Sequence, residues 1–144
     1  MKPLTLILIS GLMAAVSAAQ EAPASGTKKP APTRLPDALV ASIEARPGLV
    51  YASYGDRELA LDLYRPRKRE AALPAIVCIH GGGWYKGERS SMAPLAQALA
   101  ARGYVTVTIT YRLSGEARFP AAIQDAKAAV RWLRAHAAEH GIDG

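Results

Sequence analysis

The sequence predicts an α/β fold with a mostly parallel sheet, and three observations carry that expectation. Ala75–Ile79 is an unbroken apolar run that leads into His80 and three glycines, the mark of a strand buried on both faces. Tyr104–Tyr111 alternates Val105, Val107 and Ile109 with Thr106, Thr108 and Thr110, all good β-formers. Between these segments Met92, Leu95, Ala96 and Leu99 recur at helical spacing. A helix between two such strands is the crossover of a parallel sheet.

The other elements follow in chain order. Lys2, the apolar stretch Leu4–Val16 and the small residues Val16-Ser17-Ala18-Ala19 have the layout of a signal peptide over residues 1–19. Cleavage is expected near Ala18 or Ala19, with periplasmic or secreted localisation. The apolar stretch is short for a membrane span, so no stable membrane insertion is expected after cleavage. Residues 20–47 hold Pro23, Pro30, Pro32, Pro36 and Pro47 and read as a Pro/Ala-rich linker. A short amphipathic helix over Asp37–Glu44 fits within it, with Leu39, Val40 and Ile43 on one side.

Residues 48–144 are expected to form the folded part. Leu49–Tyr54 reads as a strand and Gly55-Asp56 as a turn. Leu59, Leu61 and Leu63 alternate with Ala60, Asp62 and Tyr64 in a second strand, closing an antiparallel hairpin that Pro66 ends. Ser90 or Ser91 is the expected cap of the next helix, and Gly103 its stop. Pro120 suits the first turn of a long helix, with Ile123, Ala126, Val130, Leu133 and Ala137 on one face and Gly141 closing it beneath Ile142.

The composition, 50% hydrophobic and 21% charged, is that of a globular chain. The net charge of +6 is scattered. Its two clusters, Lys28-Lys29 and Arg65 to Arg69, lack interleaved aromatics and read as solvated surface, so no nucleic-acid partner is expected. The single cysteine, Cys78, excludes an internal disulfide and reads as a small buried hydrophobe.

Three consecutive glycines after a buried strand demand a chemical reason. They permit unusual backbone angles and let a bound group approach the backbone N–H groups. A phosphate loop fails, because Lys86-Gly87 stands in the wrong order, and a dinucleotide fingerprint fails on spacing. His80-Gly81-Gly82-Gly83-Trp84 instead matches the His-Gly-Gly-Gly motif of lipases and esterases. With Tyr111-Arg112-Leu113-Ser114, Phe119-Pro120-Ala121-Ala122, Asp125 and Ala129–Leu133 in this order, residues from Leu49 onward resemble the hormone-sensitive-lipase-like esterases of the α/β-hydrolase fold. Trp84 draws the likeness towards the branch of bacterial feruloyl and acetyl-xylan esterases.

The resemblance implies an oxyanion hole built from the N–H groups of Gly82 and Gly83, with His80, Gly81 and Trp84 supporting the loop. Trp84 either lines the acyl pocket or packs the loop. Asp125 is expected to pair with Arg112. The implied substrate is a small-molecule or carbohydrate-linked ester, and no cofactor or metal is implied. No Gly-x-Ser-x-Gly nucleophile elbow occurs in the 144 residues. In the resembling family it lies on the strand after the last helix here, with acid and base later still. The chain therefore reads as the N-terminal portion of an exported ester hydrolase, a partial fold stopping before the elbow, inactive alone and prone to aggregate along an exposed Ala75–Ile79 edge.

Two rivals stand beside this reading. One is a noncatalytic module that binds a carbohydrate or protein. The other is a zinc peptidase using His136-Ala137-Ala138-Glu139-His140, which matches a His-x-x-Glu-His pattern. The latter lacks a third ligand downstream, and histidines near a helix C-terminus suit the helix dipole without any metal.

Overall fold

The computed structural model describes residues 35–143. The signal peptide, linker residues 20–34 and Gly144 lie outside the described residues.

A short helix α1 (Asp37–Ala41) precedes the hairpin of β1 (Ile43–Tyr54) and β2 (Arg57–Pro66). Next come β3 (Ala75–Ile79), a 3-10 turn (Arg89–Met92), α2 (Ala93–Ala100) and β4 (Val105–Ile109). The helices α3 (Ala121–Ala135) and α4 (Ala137–His140) follow. The four strands form one sheet in the order β1-β2-β4-β3. Antiparallel ladders join β1 to β2 and β2 to β4, whereas β3 and β4 run parallel. The crossover expected between Ala75 and Tyr111 is therefore present, and the sheet is mixed.

β4 is buried on both faces, and its alternation assigns one residue set to each. Val105, Val107 and Ile109 join Leu59, Leu61, Leu63 and, from α3, Ala129 and Leu133. Each fully buried leucine of β2 contributes about 1.5–3 kcal/mol. On the other face, Ala96 and Ala100 of α2 pack with Tyr64 and Cys78, so Cys78 is a buried thiol as expected. Alanines let α2 come close enough for the Thr106 hydroxyl to donate to the Ala96 carbonyl at 2.8 Å. That bond offsets the cost of burying a hydroxyl beneath a helix.

Several expectations need correction. The first strand begins at Ile43, so residues 43–47 stand in the sheet rather than in a linker, and α1 ends at Ala41. The proline in this stretch, Pro47, falls where the ladder shifts register between Arg46 and Leu49, a position that tolerates a residue without an N–H donor. Neither Ser90 nor Ser91 caps α2. Both lie in the 3-10 turn, and the Ser91 hydroxyl donates back to the Glu88 carbonyl at 2.7 Å. Gly103 does follow α2 with a positive φ of 97°, and its N–H bonds the Ala100 carbonyl at 3.0 Å.

The long helix presents two faces rather than one. Ala121, Asp125, Ala129 and Leu133, each four residues on, are buried against the sheet. Ile123, Ala126 and Val130 instead line an open apolar cleft of about 370 Å³ with Val77, Ile79 and Trp84. β3, expected to be covered on both faces, leaves Ile79 43% exposed. Among the described residues its only ladder partner is β4. The helix also breaks at His136, which has φ −107° and ψ 19°, before α4 adds one further turn. Gly141 closes α4 at φ +69°, with the Ile142 N–H donating to the Ala137 carbonyl at 2.8 Å, and Ile142 tucks into the core.

Candidate active site

Parallel strands put their carboxyl ends at one edge, and a crevice at that edge is where open α/β sheets bind ligands. Ile79 pairs with Ile109, so His80 and Tyr111 emerge side by side. Their rings stack with centroids 4.4 Å apart and planes 17° from parallel. Both are buried. The Tyr111 hydroxyl donates to the His80 carbonyl at 2.9 Å, and His80 Nδ1 lies 2.9 Å from the Gly81 carbonyl. The root of the glycine loop is thus fastened to the segment that follows β4. Tyr111→Phe should lower stability by about 1 kcal/mol, because a buried carbonyl loses its donor. Urea denaturation measures this, and an unchanged midpoint would remove Tyr111 from the support of the loop.

Beyond His80 the loop coils tightly. The Gly82 carbonyl accepts the N–H groups of Tyr85 and Lys86 at 3.3 and 3.2 Å. Gly82 has φ +125°, and a Cβ there would lie 1.9 Å from the Lys86 carbonyl oxygen. Gly83 has φ +64° but open space at its Cβ position. The N–H groups of Gly82 and Gly83 have no hydrogen-bond acceptor among the described residues. The turn is closed by the Gly82 carbonyl and leaves both amides free.

Trp84 adopts a positive φ of 68° without being glycine, a strained conformation costing on the order of 1 kcal/mol. Its carbonyl takes the Ser114 N–H at 2.9 Å, which ties the glycine loop to the loop after β4. Its ring tilts against Tyr111 at 5.9 Å and is 54% exposed. It overhangs an apolar cleft of about 300 Å³ shared with Arg112, Phe119 and Ile123. Both of the alternatives left open for this residue therefore have a basis in its geometry.

The Arg112–Asp125 pair forms as expected. Asp125 is 0% exposed and accepts from the Arg112 backbone N–H, Nε and Nη2 at 2.9, 3.0 and 2.7 Å. The Tyr54 hydroxyl adds a fourth bond at 3.0 Å, and the Arg112 guanidinium stacks over the Tyr54 ring. Burial pushes the Asp125 carboxyl up, but the bonds from Arg112 and Tyr54 outweigh it and hold the group below the usual carboxylate range.

Sequence reasoning missed the residues that close the loop from behind. Gly87 packs on His80 so closely that a Cβ would lie 2.5 Å from both the His80 Nδ1 and the Gly81 carbonyl oxygen. Arg89 bridges Asp62 of β2 at 2.9 Å and the Thr110 hydroxyl at 2.9 Å. Together with His80, Arg57 and Glu116 these side chains line a cleft of about 380 Å³. The repeated glycine after Lys86 was the one available signal. The Arg89 contacts join residues far apart in sequence and left none.

His136 and His140 stay one helical turn apart, with the His140 N–H donating to the His136 carbonyl at 3.1 Å and the ring centroids 6.3 Å apart. Both rings stack against Trp132, and His136 Nδ1 lies 2.8 Å from the Trp132 carbonyl. No cluster of three ligating side chains occurs among the described residues. Nor does any serine hydroxyl among them hydrogen-bond to a histidine.

The sequence profile of the BD-FAE family matches residues 61–144. Carboxylesterase NlhH of Mycobacterium tuberculosis is 38% identical over 90 residues, covering 62% of this chain and 28% of its own length. The ethyl acetate hydrolase of Pseudomonas putida is 40% identical over 88 residues, covering 59% of this chain and 28% of its own. A thermophilic esterase of Thermogutta terrifontis superposes with a TM-score of 0.63 at 33% identity, over 71% of this chain and 37% of that one. Esterase B of Lactobacillus rhamnosis does so with a TM-score of 0.64 at 31% identity, over 74% and 37%. The chain thus spans less than two-fifths of the relatives it matches. The sheet, its parallel crossover and these matches agree: the chain belongs to the BD-FAE family, within the hormone-sensitive-lipase-like α/β-hydrolases.

Proposed function

We propose that this chain supplies the oxyanion-binding part of an exported, serine-type carboxylic-ester hydrolase, with nucleophile, acid and base coming from sequence beyond these 144 residues. The observation that carries the reading is the pair of unengaged amides at Gly82 and Gly83 on a loop pinned by His80 and Tyr111. In ester hydrolysis a nucleophilic oxygen bonds the carbonyl carbon, and the C=O electron pair moves onto its oxygen. That oxyanion needs fixed donors. It then re-forms the C=O bond and expels the alcohol, and water frees the acid from the acyl-enzyme. Donors held in place beforehand lower the barrier because no dipole must reorient during the reaction.

In this reading Gly82 and Gly83 donate, Gly81 shapes the turn, and Trp84 walls the apolar cleft that takes the acyl group. The similarity to an ethyl acetate hydrolase favours a short acyl chain. Export rests on Lys2 and the apolar stretch Leu4–Val16. The test is to express these residues together with the coding sequence that follows them and to assay p-nitrophenyl acetate and butyrate. Hydrolysis abolished by a phosphonate ester is the expected result, with none from the 144 residues alone. A longer product that folds yet hydrolyses neither ester overturns the proposal.

A further inference from the structure

His140 takes no part in the proposed chemistry, yet its side chain is 1% exposed and neither ring nitrogen has a hydrogen-bond partner among the described residues. Its ring stacks on Trp132 with centroids 5.3 Å apart. Every charged group around it is already engaged or is itself cationic. From β1, Glu44 is held by Arg46 and by Arg65 of β2. Arg65 also donates to the Glu139 carbonyl at 3.3 Å, and Arg46 reaches the Glu139 carboxylate at 3.5 Å. Arg69, in the loop after β2, lies against Gly141. On its own helical segment His140 has His136, and Glu139, whose carboxylate is 3.8 Å from His140 Nε2 but 59% exposed. An imidazolium here would carry two donors with no acceptor within hydrogen-bonding distance among the described residues, and the Glu139 carboxylate at 3.8 Å is shared with Arg46.

α4 also holds a clasp. The Leu73 N–H donates to the Gly141 carbonyl at 2.9 Å, and the Asp143 N–H returns to the Leu73 carbonyl at 2.8 Å. This bridge fastens the entrance of β3 to the chain that follows α4. We propose that His140 is an acid-sensitive latch: while neutral it seats α4 beneath Trp132 and keeps the Leu73 clasp shut, and its protonation opens the clasp. The inference is independent of the proposed esterase function.

The sign follows from linkage. Burial, the largest influence, pushes His140 below its ordinary 6.5, and the nearby arginines and His136 add to this against the pull of Glu139. The opened segment takes up its proton near 6.5, while the closed one resists. The clasp is therefore at full strength above that pH and weakens as the pH falls below it.

Amide hydrogen exchange on the full chain tests this at about pH 7.5 and about pH 5.5, after correction for intrinsic rates. Protection at Leu73, Ile142 and Asp143 should fall on the order of tenfold relative to Val107 of β4. His140→Phe, which stacks but cannot titrate, should lose that response, whereas His136→Gln should keep it. Should His140→Phe fail to fold, the titration of the His140 Cε1–H resonance in the native chain decides. A midpoint below 6.5 coincident with loss of protection supports the latch. A midpoint at or above that value, or an equal response in His140→Phe, overturns it.

Discussion

Gly82→Ala should lower kcat on a short-chain p-nitrophenyl ester by about 10²–10³-fold in the product that extends beyond these residues, the loss expected when an oxyanion donor is displaced. The effect arises from packing as well as from backbone angle. The added methyl would sit 1.9 Å from the Lys86 carbonyl oxygen and 2.7 Å from its carbon, and these are backbone atoms that cannot swing away. At φ +125° the alanine is strained in addition. The loop must then uncoil, breaking the bonds that the Gly82 carbonyl makes with Tyr85 and Lys86. Two comparisons separate this from general damage. Gly83→Ala meets open space at φ +64° and should cost less. Gly55→Ala, at φ +59° in the distant β1–β2 turn, should cost about 1 kcal/mol of stability and leave kcat unchanged. If Gly82→Ala retained its fold and came within twofold of the parent enzyme, the glycine loop would not be an oxyanion cradle.

Asp125→Ala should destabilise the fold by about 3–5 kcal/mol, because it strands a paired charge away from water. Three of the four bonds to this carboxylate come from Arg112, whose side chain is only 16% exposed. That loss approaches the whole stability of a small domain, so the variant is expected to be largely unfolded at room temperature by urea denaturation and near-UV dichroism. Asp125→Asn keeps the shape and one acceptor and should fall between the two. The pH dependence has a definite sign. The carboxyl is held below its ordinary 3.8 in the folded state. Its contribution is therefore complete above that value and disappears as the pH falls through the lower, folded value. Acid unfolding of the parent should carry this component and Asp125→Asn should lack it. Equal acid midpoints for the two would mean that the pair contributes nothing.

The site was partly legible in the chain, for reasons tied to particular residues. The glycine triplet was readable because glycine is costly inside regular structure and because it stands where a buried strand ends. The Arg112–Asp125 pair was readable from motif order alone, since both residues flank one loop. The Arg89 bridge from Asp62 to Thr110 was not readable, because it joins positions that only the assembled sheet brings together, and the Gly87 contact on His80 depends on how the loop between them coils. The serine caps failed for a related reason. A 3-10 turn intervenes and takes Ser91 for its own Glu88 bond.

Hydrophobic period and glycine placement, both local properties, determined from the sequence alone that a helix would join two parallel strands and that a glycine loop would follow the first. Tertiary structure alone decided that β2 separates β1 from β4, that α3 divides its apolar residues between a covered and an open face, and that His140 is buried with neither ring nitrogen hydrogen-bonded among the described residues. Those outcomes depend on which surfaces meet. Side-chain period shows that a face is apolar, whereas burial and pairing are properties of two segments distant in sequence, set by the whole packed assembly.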